Sequence, residues 1–346
     1  MSDRTTKQPV RVVVADDSPT ARALLVALCE RDPGITVVGE ARNGQQAIHL
    51  TERLRPALVL MDVHMPGVDG LEATKTIMRQ CPTPIIMVTA STTSSDVEAG
   101  LKAIRLGALQ VMPKPVGPGV KGHQQSADRL TAMVKALAEV KVIQRRVRAA
   151  ATDSRPAVLG GILAVAASTG GPPALGEFLQ HLPRDLPVPV VVVQHLVPGF
   201  LPGLVDWLRA EVPFHVVQAE HDQPLAPGSV YLAPDGRHLE VTARLRASLS
   251  DRPAVDGFKP SASVLFGSIA RNLGASGTAV VLTGMGQDGL AGARALYGAG
   301  GRIFAQDEET CAVYGMPRVV AEAGIVDRVG PVQELAAFVA RNLRSC

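Results

Sequence analysis

A serine followed by two glycines, in Ser168-Thr169-Gly170-Gly171, separates an apolar run from two prolines that can open a helix. A turn of this kind exposes a side chain, and the N–H groups at the positive end of the helix can stabilise a negative charge beside it. Such a turn could present a serine nucleophile for acyl transfer. It could equally cradle a phosphate, although the lysine spacing of a P-loop is absent. This stretch alone leaves both interpretations open.

A histidine and an aspartate follow two further apolar runs, and they favour the nucleophile. Residues 187–194 (PVPVVVVQ) lead to His195, and residues 277–283 (GTAVVLT) lead to a glycine-rich turn that contains Asp288. Strands that end at one edge of a sheet would bring serine, histidine and aspartate together, as acyl-transfer enzymes require. Competing acids lie in Pro/Gly-rich loops with no comparable strand before them; they are Asp222, Asp235 and Asp256. The pattern therefore predicts a hydrolase site formed by Ser168, His195 and Asp288.

Acidic side chains also follow apolar runs in the first half of the chain. Asp16 and Asp17 end the first run, Asp62 ends the third, Thr89 ends the fourth and Lys114 follows the fifth. Each of these residues alone would be interpreted as an ordinary solvated loop residue. Carboxylates that converge in one crevice repel one another unless a cation lies among them, and hard oxygen ligands suit Mg²⁺. We therefore expect Asp62 to attack a phosphoryl donor beside Mg²⁺, with Lys114 balancing the added charge and Thr89 bonding a phosphoryl oxygen.

The elements that must position these residues alternate between strand and helix. Apolar runs at 10–15, 35–38, 58–61, 85–88 and 109–112 are separated by helical stretches around 20–31, 43–54, 70–79 and 94–106. This alternation predicts a parallel, doubly wound sheet with function at the carboxyl ends of its strands. Val-rich runs flanked by glycine are typical of buried parallel strands in both halves. We predict an α/β fold with two doubly wound parallel-sheet domains joined by a linker.

A basic segment marks the division between the two halves. At 346 residues the chain favours two domains. Residues 116–157 carry eight basic and three acidic side chains, begin in a Pro/Gly-rich stretch and continue into a helical pattern at Leu130, Val134, Leu137 and Lys141. We interpret residues 10–120 as the first domain, 121–157 as a linker with an amphipathic helix, and 158–346 as the second domain.

Composition excludes several classes of protein. The polar first residues contain no signal-peptide core, and no apolar run is long enough to span a bilayer, which predicts a cytoplasmic protein without membrane insertion. The four cysteines are far apart, so neither a disulfide framework nor a zinc site is expected. Nucleic-acid binding is not expected, because no recognition motif accompanies the basic segment.

The first half resembles response-regulator receiver domains over residues 10–120. The resemblance rests on VVVADDS, LVLMDVHMPGVDG, VTAS and PKP, which occur in the family's order. It implies that Asp62 is the phosphoacceptor and that Mg²⁺ is held by Asp17, Asp62, the backbone carbonyl of His64 and, through water, Asp16. Thr89 and Lys114 take the switch roles. Val111 departs from the family, since many receivers carry an aromatic residue there.

The second half resembles the catalytic domain of chemotaxis response-regulator protein-glutamate methylesterases over residues 158–342. The segments that carry the resemblance are AASTGGP, VVVQHLVPGF, LTGMGQDG and AQDEETCAVYGMPR. It implies hydrolysis of γ-glutamyl methyl esters on chemoreceptors and deamidation of certain receptor glutamines. Ser168 is then the nucleophile, His195 the general base and acid, and Asp288 the residue that orients it. The N–H of Met285, helped by the Thr169 region, is the implied oxyanion donor.

The two resemblances together imply a regulated enzyme with defined partners. These are a sensor histidine kinase of the chemotaxis type and methyl-accepting chemoreceptors, with no cofactor in the catalytic domain. Phosphorylation of Asp62 is expected to loosen a cover that the receiver forms over the catalytic crevice. Ser263 and Leu196-Val197 differ from residues common in the family and touch substrate or support positions. A binding module that has lost catalysis and a DNA-binding regulator remain as alternatives, and the intact Ser/His/Asp set and the absence of a recognition helix disfavour them.

Overall fold

The computed structural model describes residues 8–90, 94–138 and 161–344. The chain divides into two compact units, residues 1–143 and 144–346. Within the described ranges, no helix is both long and apolar enough to cross a membrane.

The first unit is a five-stranded parallel sheet with the strand order β2-β1-β3-β4-β5. Its strands are β1 (Val10–Ala15), β2 (Ile35–Ala41), β3 (Leu58–Asp62), β4 (Ile85–Thr89) and β5 (Gln110–Pro113). Its helices are α1 (Pro19–Glu30), α2 (Gly44–Leu54), α3 (Gly70–Gln80), α4 (Ser94–Arg105) and α5 (His123–Leu137). This is a doubly wound order, in which the direction of winding reverses between β1 and β3.

Local sequence explains most of these boundaries. Every residue of β3 and β4 is buried, as their apolar composition predicts for central parallel strands. Side chains at the residue before the helix accept a hydrogen bond from the first turn in α1, α2 and α3, where the capping residues are Ser18, Asn43 and Asp69.

Helix α5 lies in the segment that the sequence predicts to be a linker, and it packs within the first unit. Its apolar face, formed by Ala127, Leu130, Val134 and Leu137, is buried, and the helix packs against α1. At its exposed edge, Lys135 Nζ lies 2.5 Å from Asp32 Oδ2. Burial of that apolar stripe is the reason that the helix docks on the unit rather than standing free. The remainder of the predicted linker, with Lys141, lies outside the described residues.

The second unit contains a seven-stranded parallel sheet with the order β14-β13-β12-β6-β7-β9-β8. Its strands are β6 (Ile162–Ala167), β7 (Val190–Gln194), β8 (His215–Gln218), β9 (Ser229–Leu232), β12 (Gly277–Val281), β13 (Arg302–Gln306) and β14 (Arg328–Gly330). An antiparallel pair, β10 (His238–Val241) and β11 (Ala247–Ser250), stands beside it. The helices are α6 (Gly171–His181), α7 (Leu201–Glu211), α8 (Ala262–Leu273), α9 (Leu290–Gly298), α10 (Met316–Glu322) and α11 (Val332–Arg344).

The order of this sheet reverses beside β6. The chain runs outward from β6 through β7 to β8 and β9, returns through α8 to β12 on the other side of β6, and then continues to β13 and β14. Both sheets are therefore parallel and wound in two directions, which confirms the predicted α/β class.

The burial of α5 can be tested by truncating one side chain. Leu130→Ala should lower the free energy of unfolding of the first unit by about 2–5 kcal/mol, because Leu130 is fully buried. The loss of stability can be measured by unfolding the full chain in urea and monitoring peptides of the first unit by hydrogen-exchange mass spectrometry. Val120→Ala is the control, since Val120 is 54% exposed and its loss should cost less than about 0.5 kcal/mol. Equal losses of stability in Leu130→Ala and Val120→Ala would show that α5 does not pack on the first unit and would favour the linker interpretation.

Candidate functional site

The three predicted hydrolase residues lie at the point where the second sheet reverses. Ser168 directly follows β6, His195 directly follows β7, and Asp288 lies in the loop between β12 and α9. Since β12, β6 and β7 are consecutive neighbours in a parallel sheet, all three residues emerge at its carboxyl edge. Open α/β sheets bind ligands at such a reversal, because the loops on its two sides diverge and leave a crevice.

Backbone and side-chain hydrogen bonds fix the relation between the serine and histidine turns. His195 N donates to Ala167 O at 3.0 Å, and Ser168 N donates to Thr283 O at 3.0 Å. The buried Gln194 Nε2 donates both to Ser168 O, at 2.8 Å, and to His195 O, at 3.0 Å. The two turns are thus tied to each other and to the end of β12.

The imidazole of His195 contacts the carboxylate of Asp288 through Nε2, which lies 2.9 Å from Oδ2. Nδ1 of His195 is buried and has no hydrogen-bond partner among the described residues. An Nε2–H that donates to the carboxylate leaves Nδ1 as the proton acceptor. Serine proteases use the two nitrogens in the opposite sense.

Asp288 is 1% exposed, and its carboxylate accepts hydrogen bonds from the N-terminus of α8, from His195 and from the next residue of its own loop. These donors are His195 Nε2, Ser261 Oγ, Ala262 N, Ser263 N and the following Gly289 N. Burial acts to raise the pKa of Asp288, but the hydrogen bond and charge of His195, with the bonds from Ser261 and Ala262, lower it to about 2. Asp288 is therefore ionised at neutral pH.

A glycine allows the loop after β12 to approach the serine. A Cβ atom at Gly284 would lie 2.8 Å from Ser168 Cβ and 2.4 Å from Met316 Sδ, so no side chain fits there. Gly284 O accepts hydrogen bonds from the N–H groups of Gly315 and Met316 at the start of α10. Within the described ranges, the N–H groups of Met285 and Thr169 have no hydrogen-bond partner, which leaves them available beside Ser168.

The structure adds residues that the sequence analysis missed. Ser261, the N-cap of α8, could have been found from its position after a proline and before a helical pattern. No sequence signal indicates Gln194 as a tie between the turns, or the parallel stacking of Phe258 on the His195 ring. Ser263 Oγ accepts a hydrogen bond from Gly289 N, so it supports the Asp288 loop.

One of the three competing acids, Asp235, does not lie where the sequence predicted. Asp235 follows β9 closely and so lies at the same carboxyl edge, contrary to the expectation that no comparable strand precedes it. Its Oδ2 accepts a hydrogen bond from Gly199 N at 2.7 Å. Burial raises the pKa of Asp235, against the lowering effect of that bond. Asp235 therefore supports the loop after His195 and is not its partner.

The first unit gathers a second group of charged residues at the carboxyl ends of β1, β3 and β5. Ligand atoms of Asp16, Asp17 and Asp62 all lie within 4.8 Å of one another. Lys114 Nζ lies 2.8 Å from Asp16 Oδ2 and 3.0 Å from Asp62 Oδ2, and Lys114 N donates to Thr89 O at 2.8 Å. The structure thus brings the predicted strand-end residues together.

Electrostatics at this cluster favour an added cation. Burial raises the pKa of Asp62, and the charge of Asp16 adds to that effect, although Lys114 acts to lower it. Burial likewise acts to lower the pKa of Lys114, but its hydrogen bonds to Asp16 and Asp62 raise it overall. Three carboxylates with one ammonium leave a net negative charge, and oxygen donors of this kind suit Mg²⁺.

The structure also shows where two further residues of the first unit, His64 and Val111, lie. The exposed imidazole of His64 lies with Nε2 2.8 Å from Asp96 Oδ1 of α4, so its side chain faces α4 rather than the carboxylates. A metal-binding role for its backbone carbonyl stays a prediction. Val111, at the position of the usual aromatic switch, is 2% exposed within β5.

Comparisons with known proteins agree with this arrangement. The chain matches the family model described as CheB methylesterase over residues 163–339 and that described as response regulator receiver domain over residues 12–120. It is 49% identical over 345 residues to protein-glutamate methylesterase/protein-glutamine glutaminase 4 of Myxococcus xanthus, covering 97% of this chain and 98% of that protein. It is 44% identical over 341 residues to an Anaeromyxobacter dehalogenans protein of the same name, numbered 3, covering 97% of this chain and 99% of that protein.

A solved structure supports the same assignment for the second unit. The Thermotoga maritima CheB methylesterase catalytic domain superimposes with a TM-score of 0.52 and 35% identity, covering 53% of this chain and 99% of that chain. Both resemblances noted in the sequence are confirmed, and so is the hydrolase activity that they imply. The chain belongs to the CheB methylesterase family, as a phosphorylation-regulated protein-glutamate methylesterase and protein-glutamine glutaminase of chemotaxis.

Proposed function

We propose that Ser168, His195 and Asp288 carry out the hydrolysis of γ-glutamyl methyl esters and of glutamine side-chain amides on methyl-accepting chemoreceptors. The observation that supports this most directly is the 2.9 Å contact between His195 Nε2 and the buried, ionised Asp288. It leaves the opposite ring nitrogen as the base, at the edge of the sheet where Ser168 follows β6.

The reaction proceeds through an acyl-enzyme. Ser168 Oγ transfers its proton to His195 Nδ1 and attacks the ester or amide carbonyl, which gives a tetrahedral intermediate. His195 returns the proton to the leaving group, which departs as methanol from an ester or ammonia from an amide. Water, deprotonated by His195, then attacks the acyl-enzyme and forms a second tetrahedral intermediate. His195 returns the proton to Ser168 Oγ as this intermediate collapses, which releases glutamate and regenerates the serine. Asp288 stabilises the imidazolium in both steps and remains ionised.

The negative oxygen of each tetrahedral intermediate needs donors that are fixed before the reaction. The N–H groups of Met285 and Thr169 supply them in this proposal. Both lie in turns next to Ser168, and the backbone hydrogen bonds of Gly284, to Val313 O and from Gly315 N, hold the Met285 turn in place.

The first domain controls the second through Asp62. Asp62, Asp17 and the His64 carbonyl, with Asp16 through water, would hold Mg²⁺, which neutralises negative charge during phosphoryl transfer from a chemotaxis-type sensor histidine kinase. Lys114 pairs with Asp62, and Thr89 lies at the neighbouring strand end. We infer that the unphosphorylated first domain lowers the rate of the second and that phosphorylation of Asp62 relieves this effect.

The packing of α5 supports a first domain that extends beyond residue 120. We propose that the phosphorylated domain comprises residues 10–138, since α5 packs on α1, and that the hydrolase domain spans residues 158–346.

Removal of the nucleophile should abolish turnover. Ser168→Ala should lower kcat for methanol release from methylated chemoreceptor by at least about a thousandfold, because no acyl-enzyme can form. The unfolding midpoint should stay close to wild type, since one hydroxyl is lost at a turn. Ser229→Ala, at the start of β9, is the matched control and should keep wild-type turnover. Near-normal turnover by Ser168→Ala would exclude the serine as nucleophile.

Asp288→Asn should lower kcat strongly while leaving KM nearly unchanged, because an amide cannot stabilise the His195 imidazolium or select its tautomer. The comparable change in a serine protease costs about 10⁴-fold in kcat. Because the pKa of Asp288 is about 2, its protonation should produce no limb in the pH–rate profile between pH 5 and 8.

Two other acids serve as controls for this variant. Asp222→Asn and Asp206→Asn should change kcat by no more than a few-fold, since both carboxylates are exposed and pair with an arginine, Asp222 with Arg246 and Asp206 of α7 with Arg209. Kinetics and unfolding midpoints of the three variants decide the matter. An Asp288→Asn enzyme as active as these controls would reduce the site to a Ser–His pair.

Asp62→Asn should fold and keep its basal esterase rate, but lose activation by a small phosphodonor with Mg²⁺, because an amide cannot form the acyl phosphate. The measurement compares methanol release with and without phosphodonor. Asp128→Asn, on the exposed side of α5, should retain activation. Activation that survives in Asp62→Asn would place the phosphoacceptor elsewhere.

A further inference from the structure

The ring of Phe258 lies parallel to the ring of His195. Their centroids are 4.1 Å apart and the planes differ by 12°. The His195 side chain is only 10% exposed, so the phenyl ring covers one face of the imidazole while Asp288 holds one edge of it.

A tight turn fixes the position of Phe258. Val255 and Phe258 exchange two backbone hydrogen bonds, of 3.1 and 2.9 Å, across Asp256 and Gly257, which both have positive φ. This is the two-residue hairpin turn for which Asp-Gly is a preferred sequence. Lys259 Nζ donates to Asp251 O at 2.9 Å and so ties the next residue back to the start of the loop.

The same segment of chain holds both partners of the histidine. Phe258 is followed closely by Ser261, Ala262 and Ser263, which donate to the Asp288 carboxylate. Residues 258–263 therefore set the ring face and the carboxylate that His195 contacts.

An aromatic face stabilises a cation more than a neutral ring, because its electron density is concentrated above and below the ring plane. His195 gains a proton, and with it a positive charge, each time it accepts the proton of Ser168 or of water. Stacking on Phe258 would therefore favour the transition states over the resting enzyme, and it would also keep the imidazole in the plane that directs Nε2 to Asp288.

We propose that Phe258 is a positioning residue for the hydrolase reaction, whose ring face orients His195 and stabilises its imidazolium. This inference rests on the proposed role of His195 as the general base. It assigns to the 255–258 turn a function in catalysis rather than only in loop structure.

Other charged groups near His195 are accounted for by their own partners. Asp288 reaches it from the loop after β12. Asp235, from the loop after β9, bonds Gly199 N, and Lys259, beside Phe258, bonds Asp251 O. A change at Phe258 should therefore alter the protonation of His195 through loss of the ring face, with Asp288 unchanged.

The experiment compares Phe258→Leu with Phe258→Tyr in the full chain, using methanol release from methylated chemoreceptor. Phe258→Leu keeps an apolar side chain but has no ring face, and kcat should fall between about 2-fold and about 30-fold with KM unchanged. Its acidic limb in the pH–rate profile should move to lower pH, because the protonated imidazole has lost a favourable contact. Phe258→Tyr keeps the ring face, so its kcat and the acidic limb of its pH–rate profile should stay at wild-type values.

Controls separate this role from a structural one. Tyr297→Leu removes a 39% exposed aromatic ring on α9 and should leave kcat and the pH profile at wild-type values. Phe258→Met replaces Phe258→Leu if the latter does not fold, as judged by its unfolding midpoint.

Two results would overturn the inference: an unchanged kcat in Phe258→Leu, whether or not its KM is raised, or a Phe258→Tyr enzyme as impaired as Phe258→Leu. Ser168→Ala, assayed in parallel, distinguishes failure of the proposed role of Phe258 from failure of the proposed triad. If Ser168→Ala is inactive while Phe258→Leu is normal, only the role of Phe258 fails. If Ser168→Ala is active, the proposed triad is wrong, and the role of Phe258 that rests on it is wrong as well.

Discussion

The hydrogen bonds that hold the buried Asp288 carboxylate against the first turn of α8 fix the geometry of the hydrolase site. A carboxylate without solvent is costly to ionise, and here the free N–H groups of a helix N-terminus, the Ser261 hydroxyl and His195 satisfy it. A pKa lowered from 3.8 to about 2 corresponds to a contribution to folding free energy on the order of 2 kcal/mol. Because the folded pKa is the lower one, that contribution is present above about pH 4 and is lost as the pH falls towards 2.

The buried carboxylates of the first domain are less well compensated by donors and positive charge than Asp288 is. Five donors surround the Asp288 carboxylate. Asp16 and Asp62 share the one ammonium of Lys114 and accept one backbone hydrogen bond each, and burial raises the pKa of Asp62. A satisfied carboxylate is suited to a constant role beside a catalytic base. An under-compensated cluster has a net charge that a cation can neutralise, and its balance changes when a phosphoryl group is added. The two sites therefore use the same side chain for a permanent and for a switchable function.

The winding of the second sheet makes the hydrolase site possible. Ser168 and His195 follow adjacent strands, but Asp288 arrives 93 residues after His195, once the chain has crossed to the other side of β6. The glycines of the β12 loop then allow the backbone to approach Ser168 so closely that a methyl group at Gly284 would overlap Ser168 and Met316. Sheet order brings the residues to one edge, and the absence of a side chain brings them into range.

The sequence by itself determined the alternation of strands and helices, the strand-end positions of Ser168, His195, Asp62 and Lys114, and the family, because apolar periodicity and contiguous motifs are local. It gave no indication that α5 packs on the first domain, that Asp288 binds Nε2 of His195, or that Phe258 stacks on that ring. These features depend on which distant segments meet, and the spacing of residues along the chain does not specify this. Only the tertiary structure decided them, because burial of one helix face, satisfaction of one carboxylate and contact between two rings are properties of the folded arrangement.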